Sequence, residues 1–487
     1  MKLKDVLNGI DTEFIKGKTD IEISELRYDS REVEENNLFI AVSGFEADGH
    51  DYIDNAVENG AAAVVIEKEI EYYRPDITYI RVENSRRVMA ELADNFFGHP
   101  LRYIDLIGIT GTNGKTTTAY LIYKILKKSG IKTALFGTIK NIIGDKELDS
   151  KRTTPESVDL YRYFSRMVEE DVSYAVMEVS SHALDLYRVY GMEFTLAVFT
   201  NLTSEHLDYH KDLTSYRQVK SKLFSQLNHN GFAVVNIDDS SSSLMLKKSS
   251  GENYTYSLNN FQASLFVKEY NLDQAGIKYN TSGLFEENYK LKLGGIFNIY
   301  NSLAAVLSTY LLGIKKGAIS DALLEVEGVP GRFELINCGQ DYQVIVDYAH
   351  TSDGMKNVLE AAENIKKNRM IVLFGCGGDR DKGKRPAMAE LAEKHADYVI
   401  VSNDNPRSED PDEIFSDIKE GFSSDFNKYE IIADRREAIQ KAVNKAEKDD
   451  IVLLLGRGHE KYQIIKDQKI ELDDREVAKK AVKNRQV

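Results

Sequence analysis

Short apolar runs recur along the chain, each followed by a polar loop and then a stretch whose apolar residues fall three or four apart. In the first hundred residues, Leu38–Val42, Ala62–Ile66 and Tyr79–Val82 predict strands, while Tyr52–Asn59 and Ser85–Phe96 carry helical spacing. The pattern continues with strands at Ile104–Ile109, Thr133–Phe136, Tyr174–Met177, Leu196–Phe199 and Ala233–Asn236, and with an amphipathic helix over Thr117–Ser129 stopped by Gly130. It restarts with Val344–Asp347, Met370–Phe374, Tyr398–Ser402 and Ile451–Leu455, each followed by a loop and a helical segment. Apolar strands alternating with helices predict parallel sheets covered on both faces. Gly98-His99-Pro100 and Gly328-Val329-Pro330-Gly331 punctuate the pattern. The expected architecture is therefore α/β in three domains. Residues 1–98 form a small N-terminal α/β domain, 99–329 a central parallel-sheet domain, and 330–487 a Rossmann-like C-terminal domain. Residues 240–295 carry no readable motif.

Composition narrows this picture a little. A chain of 487 residues is too long for one core, which agrees with several domains. A net charge of −15 argues against a nucleic-acid partner. Cys338 and Cys376 are too few for a disulfide framework, so a reducing compartment is expected. The start, Met1-Lys2-Leu3-Lys4-Asp5, lacks the apolar core of a signal peptide, and no run approaches the about 18 apolar residues that span a bilayer. The expectation is a cytoplasmic monomer with no membrane insertion.

The chemistry begins at Gly111-Thr112-Asn113-Gly114-Lys115-Thr116-Thr117-Thr118, between a predicted strand and a predicted helix. Such a turn aims backbone N–H groups and the positive end of a helix dipole at a polyphosphate. Lys115 would reach the β/γ-phosphates and Thr116 would ligate Mg²⁺. The standard loop has a glycine five residues before Gly114, where this chain has Ile109. In doubly wound sheets, ligands bind beyond the carboxyl ends of the strands. Glu178, Asn201, Asp347, Gly375, Asn403 and Gly456 fall at such ends. Glu178 precedes Val179-Ser180-Ser181-His182, and Glu205-His206-Leu207-Asp208-Tyr209-His210 lies in another strand-end loop. A carboxylate and an imidazole beside a triphosphate suit Mg²⁺.

These motifs resemble the Mur ligase family, the ATP-dependent amino-acid ligases of peptidoglycan precursor synthesis. The resemblance rests on Gly-Thr-Asn-Gly-Lys-Thr-Thr, Met-Glu-Val-Ser-Ser-His, Asn-Leu-Thr-x-x-His-Leu-Asp-Tyr-His and Gly-Arg-Phe-Glu, in that order. It continues through Asp347-Tyr348-Ala349-His350-Thr351, the run Gly375–Arg385 and Leu455-Gly456-Arg457-Gly458-His459-Glu460, so it spans all three segments. In the family this loop begins at Gly111, so Ile109 is no defect. The resemblance implies that Lys220 is carbamylated to N6-carboxylysine and joins Thr116, Glu178 and His206 around the metal. Gly111 to Thr117, Asn298, Arg332, Asp347 and His350 match nucleotide contacts. Lys115, Glu178, His206, Lys220 and Arg332 match the catalytic set. Ser30, Thr153, Thr154, Ser180 and Arg188 match contacts to UDP-MurNAc-L-Ala-D-Glu. Two positions depart from the pattern. Ser352 stands where the family has proline, which loosens a turn, and Leu186 stands where some relatives place a substrate-contacting glutamine.

Asp404-Asn405-Pro406-Arg407 resembles the form found in members that add meso-2,6-diaminopimelate. Read alone it is a turn where a helix would begin, as Thr153-Thr154-Pro155 reads as a helix start. The arginine suits the second carboxylate of diaminopimelate, because a guanidinium fork pairs bidentately with it. Arg380, Asn405, Gly456 and Glu460 match the remaining amino-acid contacts, with Glu460 facing the distal ammonium. The implied cofactors are ATP and Mg²⁺, with domain closure about Gly328–Gly331. The competing readings are an L-lysine-adding relative, folylpolyglutamate synthetase, and a catalytically silent nucleotide-binding protein. Arg407 argues against the first, the N-terminal domain with Ser30 against the second, and Lys115, Glu178 and Lys220 against the third.

Overall fold

The structure is a computed structural model that describes residues 1–44, 47–203, 207–273 and 276–485. Three mixed sheets run in succession along the chain, each flanked by helices, so the class is α/β. The first has five strands in the order Phe14–Lys16, Thr78–Arg81, Ala61–Ile66, Asn37–Ile40 and Glu25–Arg27, all parallel except the first pair. The second is built around Asp105–Thr110, which is paired in parallel with Tyr174–Glu178 on one side and Phe194–Phe199 on the other. The third has Gln343–Asp347, Ile451–Leu455, Met370–Phe374, Tyr398–Val401 and Tyr429–Ile431 in parallel, with Glu334–Leu335 antiparallel at one edge.

The central strands are apolar on both sides because helices cover both faces. Ile107, Ile109, Val176 and Val198 pack with the helix Lys115–Lys128 and the helix Ile296–Leu311. Leu106, Ala175, Met177 and Ala197 pack on the opposite face with Val158, Phe164 and Leu223. Periodicity therefore locates these strands well: Thr133–Phe136, Met370–Phe374, Ile451–Leu455 and the helix Ser85–Phe96 coincide with the predicted bounds.

Four expectations need correction. Residues 240–295, where no motif is readable, carry strands: Leu265–Asp273 joins the central sheet in parallel beside Glu252–Ser257, and Gly276–Gly283 and Glu287–Leu291 follow antiparallel. Their apolar residues alternate, and the buried face of Val267, Ile277, Tyr279, Tyr289 and Leu291 joins the core beneath Ile296–Leu311. The helix after the phosphate loop begins at Lys115, two residues earlier than predicted. Thr153-Thr154-Pro155 does not start a helix. The next one is Ser157–Glu169, with Glu156 at its cap, so Pro155 lies outside it. Asp404–Arg407 likewise opens no helix, because the next one is Pro411–Lys419. Arg407 has φ 53°, a left-handed backbone that does not fit a helix start. Ser352, where the family has proline, is the first residue of the helix Ser352–Glu363. The Thr351 hydroxyl accepts from Gly354 N at 3.1 Å and caps that helix, so the turn is held without the proline ring.

Candidate functional site

The phosphate loop is built by the strand Asp105–Thr110 and the helix Lys115–Lys128. Gly114 stands at the cap of that helix at φ 85° and, as glycine, offers no side-chain acceptor to the first turn. A Cβ at Gly114 would come 2.3 Å from Asn301 Oδ1, so only glycine allows this approach. The loop is pinned from behind. Thr112 N donates to Asn201 O at 2.8 Å, and Asn113 N donates to Asn201 Oδ1 at 2.9 Å. Lys115 Nζ folds over the loop and donates to the carbonyls of Gly111 (2.8 Å) and Thr112 (2.7 Å). Lys220 is 1% exposed, and its Nζ donates to the same Gly111 carbonyl at 2.8 Å while lying 4.4 Å from the centre of the Tyr216 ring.

Glu178 ends its strand against this loop and is 2% exposed. Thr116 Oγ1 donates to its carboxylate at 2.8 Å, Thr138 N at 2.7 Å and Thr138 Oγ1 at 3.0 Å. These donors are all neutral. A buried carboxylate and a threonine hydroxyl at a phosphate loop are oxygen donors of the kind Mg²⁺ takes. Among the described residues no three His, Cys, Asp or Glu gather as a metal cluster. His206 lies outside the described residues, so its predicted place beside Thr116, Glu178 and Lys220 has no geometry here.

The C-terminal sheet faces this loop. Arg332 Nη2 donates to Thr116 Oγ1 at 3.3 Å, while its guanidinium stacks 4.6 Å from the Tyr348 ring centre. The Asp353 carboxylate, in the first turn of Ser352–Glu363, accepts from Asn113 Nδ2 at 2.8 Å and Thr203 Oγ1 at 3.0 Å. Asp347 is buried and accepts from Phe333 N (2.6 Å) and Ala349 N (2.7 Å). Burial pushes its pKa up, and Arg332 opposes that shift. His459, against the Tyr348 ring, is pushed down to about 3 by burial and then by Arg332 and Arg475, so it is a neutral imidazole. A cavity of about 450 Å³ runs between the two sheets, lined by Asn113, Gly114, Thr117, Asn301, Arg332, Asp347 and His350. Asn298 supports its wall, accepting from Asn301 Nδ2 at 3.0 Å and donating to Gly294 O at 2.7 Å.

A second cavity, about 1070 Å³, adjoins the first and shares Tyr348, His350, Thr351 and Asp353 with it. Arg380, Asp404, Asn405, Arg407, Gly456 and Glu460 line this one space, although they come from three different strand ends. Pro406 belongs to the same turn. Arg407 Nη1 donates to Gly378 O at 2.5 Å, and the backbone of Arg407 pairs with Ile464 and Lys466. A Cβ on Gly456, at φ 112°, would meet Asp404 Oδ2 at 2.6 Å. Burial, then the neighbouring Asp404, raises the pKa of Glu460.

Thr154 Oγ1 donates to Glu178 O at 2.8 Å and accepts from Ser180 N at 3.1 Å, and Thr153 Oγ1 sits 3.1 Å from Thr138 Oγ1. Arg188 donates to Thr154 O at 3.1 Å and pairs with Glu156 at 3.0 Å. These residues thus form a cluster next to Glu178. Ser30 lies on the N-terminal sheet side, where its carbonyl accepts from Asn59 Nδ2 at 2.9 Å. Leu186 follows the short helix Ser181–Asp185. Sequence reasoning passed over Thr138, Asp353 and Tyr348. Tyr348 lies within the Asp-Tyr-Ala-His-Thr motif and Asp353 two residues after it, which points to both, whereas nothing local distinguishes Thr138. Cys338 and Cys376 are both free thiols. Among the described residues no helix is long and apolar enough to cross a membrane.

Three family models match the chain: the Mur ligase family catalytic domain over residues 22–97, the Mur ligase middle domain over 109–309, and the Mur ligase glutamate ligase domain over 331–458. A UDP-N-acetylmuramoyl-L-alanyl-D-glutamate--2,6-diaminopimelate ligase of Caldanaerobacter subterraneus subsp. tengcongensis is 46% identical over 480 residues, which is 98% of each chain. A solved structure of a ligase of the same name is 30% identical, with a TM-score of 0.71 over 100% of this chain and 99% of the other. The MurF ligase of Thermotoga maritima, solved in complex with ADP, shares the fold at 18% identity, with a TM-score of 0.61 over 94% of this chain and 96% of its own.

Proposed function

The chain belongs to the Mur ligase family, and on that premise we propose that it uses ATP to join meso-2,6-diaminopimelate to UDP-MurNAc-L-Ala-D-Glu. The observation that carries this reading is the pair of adjoining cavities. One opens on the phosphate loop. The other is lined by Arg380 and Arg407 together with Asp404 and Glu460, charges of both signs of the kind that an amino acid with two charged ends would meet. Diaminopimelate has a carboxylate and an ammonium at each end. Arg407 and Arg380 would hold its distal carboxylate, and Glu460 its distal ammonium. L-Lysine lacks the distal carboxylate, and a site built for that charged partner rejects it.

The D-glutamate carboxylate attacks the γ-phosphorus of ATP. The phosphorus–oxygen bond to ADP breaks, leaving an acyl phosphate. The amine of diaminopimelate then attacks the acyl carbon, the carbon–oxygen bond to phosphate breaks, and the nitrogen loses a proton as the amide forms. Lys115 and the open N-terminus of Lys115–Lys128 stabilise the negative charge on the phosphates. Arg332 adds a positive charge from the C-terminal side. Thr153, Thr154, Ser180 and Arg188 would orient the sugar peptide so that its carboxylate reaches the loop, with Ser30 reading the uracil. Mg²⁺ would be held by Glu178 and Thr116, joined by His206 and a carbamate on Lys220, and would neutralise phosphate oxygens when bound. Closure of the two domains about Gly328–Gly331 would bring these walls together and exclude water, which would otherwise hydrolyse an acyl phosphate. The work belongs in the cytoplasm, where ATP is at hand.

Phosphate release measured with each substrate omitted in turn tests the whole reading. Release requires ATP, UDP-MurNAc-L-Ala-D-Glu and diaminopimelate together. Release without the amino acid, or with L-lysine equally well, contradicts it.

A further inference from the structure

Asn405 faces the amino-acid cavity, and its two amide ends are chemically different. A freely rotating amide would present either a donor or an acceptor to a ligand. Here the choice is made by two groups that can only donate. Arg457 Nη1 lies 3.0 Å from Asn405 Oδ1, and Ile464 N lies 2.8 Å from the same oxygen. A guanidinium and a backbone N–H offer no acceptor, so the carbonyl must face them. The NH₂ is left to point at Glu460, donating to Oε2 at 2.9 Å.

Arg457 is itself held rigidly. Its side chain is fully buried, with Nη2 donating to Tyr462 O (2.8 Å) and Leu472 O (3.1 Å). Its Nε lies 3.6 Å from the buried Asp474, and Asp474 is gripped in turn by Arg435, whose Nη2 donates to Oδ2 at 2.7 Å. Asp474 opens the helix Asp474–Arg485. A side chain that never reaches the cavity wall thus ties the C-terminal helix to two residues that do. Arg457 also sits 3.6 Å from Glu460 Oε2, adding a fixed positive charge behind that carboxylate.

We propose that Arg457 is the positioning residue of the amino-acid cavity, acting through Asn405 to fix which polar groups meet the distal end of the incoming amino acid. With Arg457 in place, the Asn405 amide turns its NH₂ and not its carbonyl toward Glu460, and so offers the ammonium no competing acceptor. Without it, Ile464 N alone holds that carbonyl, so the amide turns more readily, its carbonyl competes with Glu460 for the ammonium and the donor to Glu460 is weakened. The inference rests on the reading that this cavity takes diaminopimelate.

The test is a double-mutant cycle of Arg457→Lys and Asn405→Ala, reading the KM for each of the three substrates and the thermal midpoint. Lysine keeps the charge, but a single ammonium cannot reach Asn405 and the two carbonyls at once. Arg457→Lys is expected to raise the KM for diaminopimelate about tenfold, the effect of one lost charge-assisted bond, with the other two KM values within about twofold. Adding it to Asn405→Ala is expected to change the diaminopimelate KM no further. Additive effects, an unchanged KM, or an equal rise for all three substrates would overturn the proposal. If Arg457→Lys does not fold, Asp474→Asn, which loosens the clamp but keeps the guanidinium, is expected to raise the same KM selectively by a smaller factor. A wild-type KM in that variant would also overturn it. Wild-type enzyme that ignores diaminopimelate would instead refute the function itself.

Discussion

The phosphate loop makes its site from eight consecutive residues on one strand–helix turn, whereas the amino-acid cavity draws Arg380, Asp404, Arg407, Gly456 and Glu460 from three strand ends. The loop works mainly with backbone: N–H groups, a helix dipole and a glycine at the cap. The cavity works with side chains, whose directions must be set by others. Arg457, Asp474 and Arg435 do this for Asn405 and Glu460, all of them buried. A backbone site is a local property of the turn and serves any triphosphate. A side-chain site can be specific, but it needs a scaffold that holds distant residues together. On the proposed reading the first would supply energy and the second choose the product, and Asp353 and Tyr348 line both cavities.

If the two regions divide the labour this way, changes in one should spare the other. The largest effect is expected at Lys220. Its replacement by alanine should lower kcat about 10²–10³-fold, as loss of a buried electrostatic group does. Short carboxylic acids should partly restore activity, and intact-protein mass should show one added CO₂ on the wild-type side chain. Absence of both would remove the carbamate. Next comes Arg407→Ala, expected to raise the KM for diaminopimelate about 10- to 100-fold while leaving that for ATP within about twofold. Steady-state kinetics against each substrate would decide, and parallel changes would break the division. Asp353→Ala attacks the junction. Losing its bonds to Asn113 and Thr203 should raise both KM values together, by about fivefold.

The smallest effect concerns stability. Burial and then Asp404 raise the pKa of Glu460 above the ordinary value of 4.5. The folded chain therefore binds that proton more tightly than the unfolded chain does. Holding Glu460 ionised costs stability above its folded pKa, and the cost fades as pH falls through that value. Glu460→Gln should raise the thermal midpoint at pH 8 by on the order of one degree, and give no gain below pH 4.5, where both states are protonated. Melting curves at the two pH values would show it. The same variant should lose affinity for diaminopimelate, so the strain lies where the ligand would relieve it.

What could be read from the chain alone follows the same divide. The buried parallel strands announce themselves as unbroken apolar runs, because both of their faces are covered by helices. The strands Leu265–Asp273, Gly276–Gly283 and Glu287–Leu291 carry no unbroken apolar run, because with one wet face their apolar residues alternate with polar ones. Read without the family, Thr153–Pro155 suggests a helix start and Asp404–Arg407 a turn just before one, yet the helices begin later, at Ser157 and Pro411, because proline marks a break in the chain without saying which structure follows. Gly111–Thr118, Glu178 and the family resemblance all came from local order: which residue stands next to which. That Thr138 anchors Glu178, that Asp353 crosses to Asn113, and that Arg457 orients Asn405 belong to the fold. Hydrogen bonds between residues 40, 240 and 52 positions apart leave no trace in local composition. The chain by itself determined the buried parallel strands, the phosphate loop and the kind of ligase. The tertiary structure decided which atoms of those residues face the ligand, because a side chain's direction depends on partners that only packing brings near.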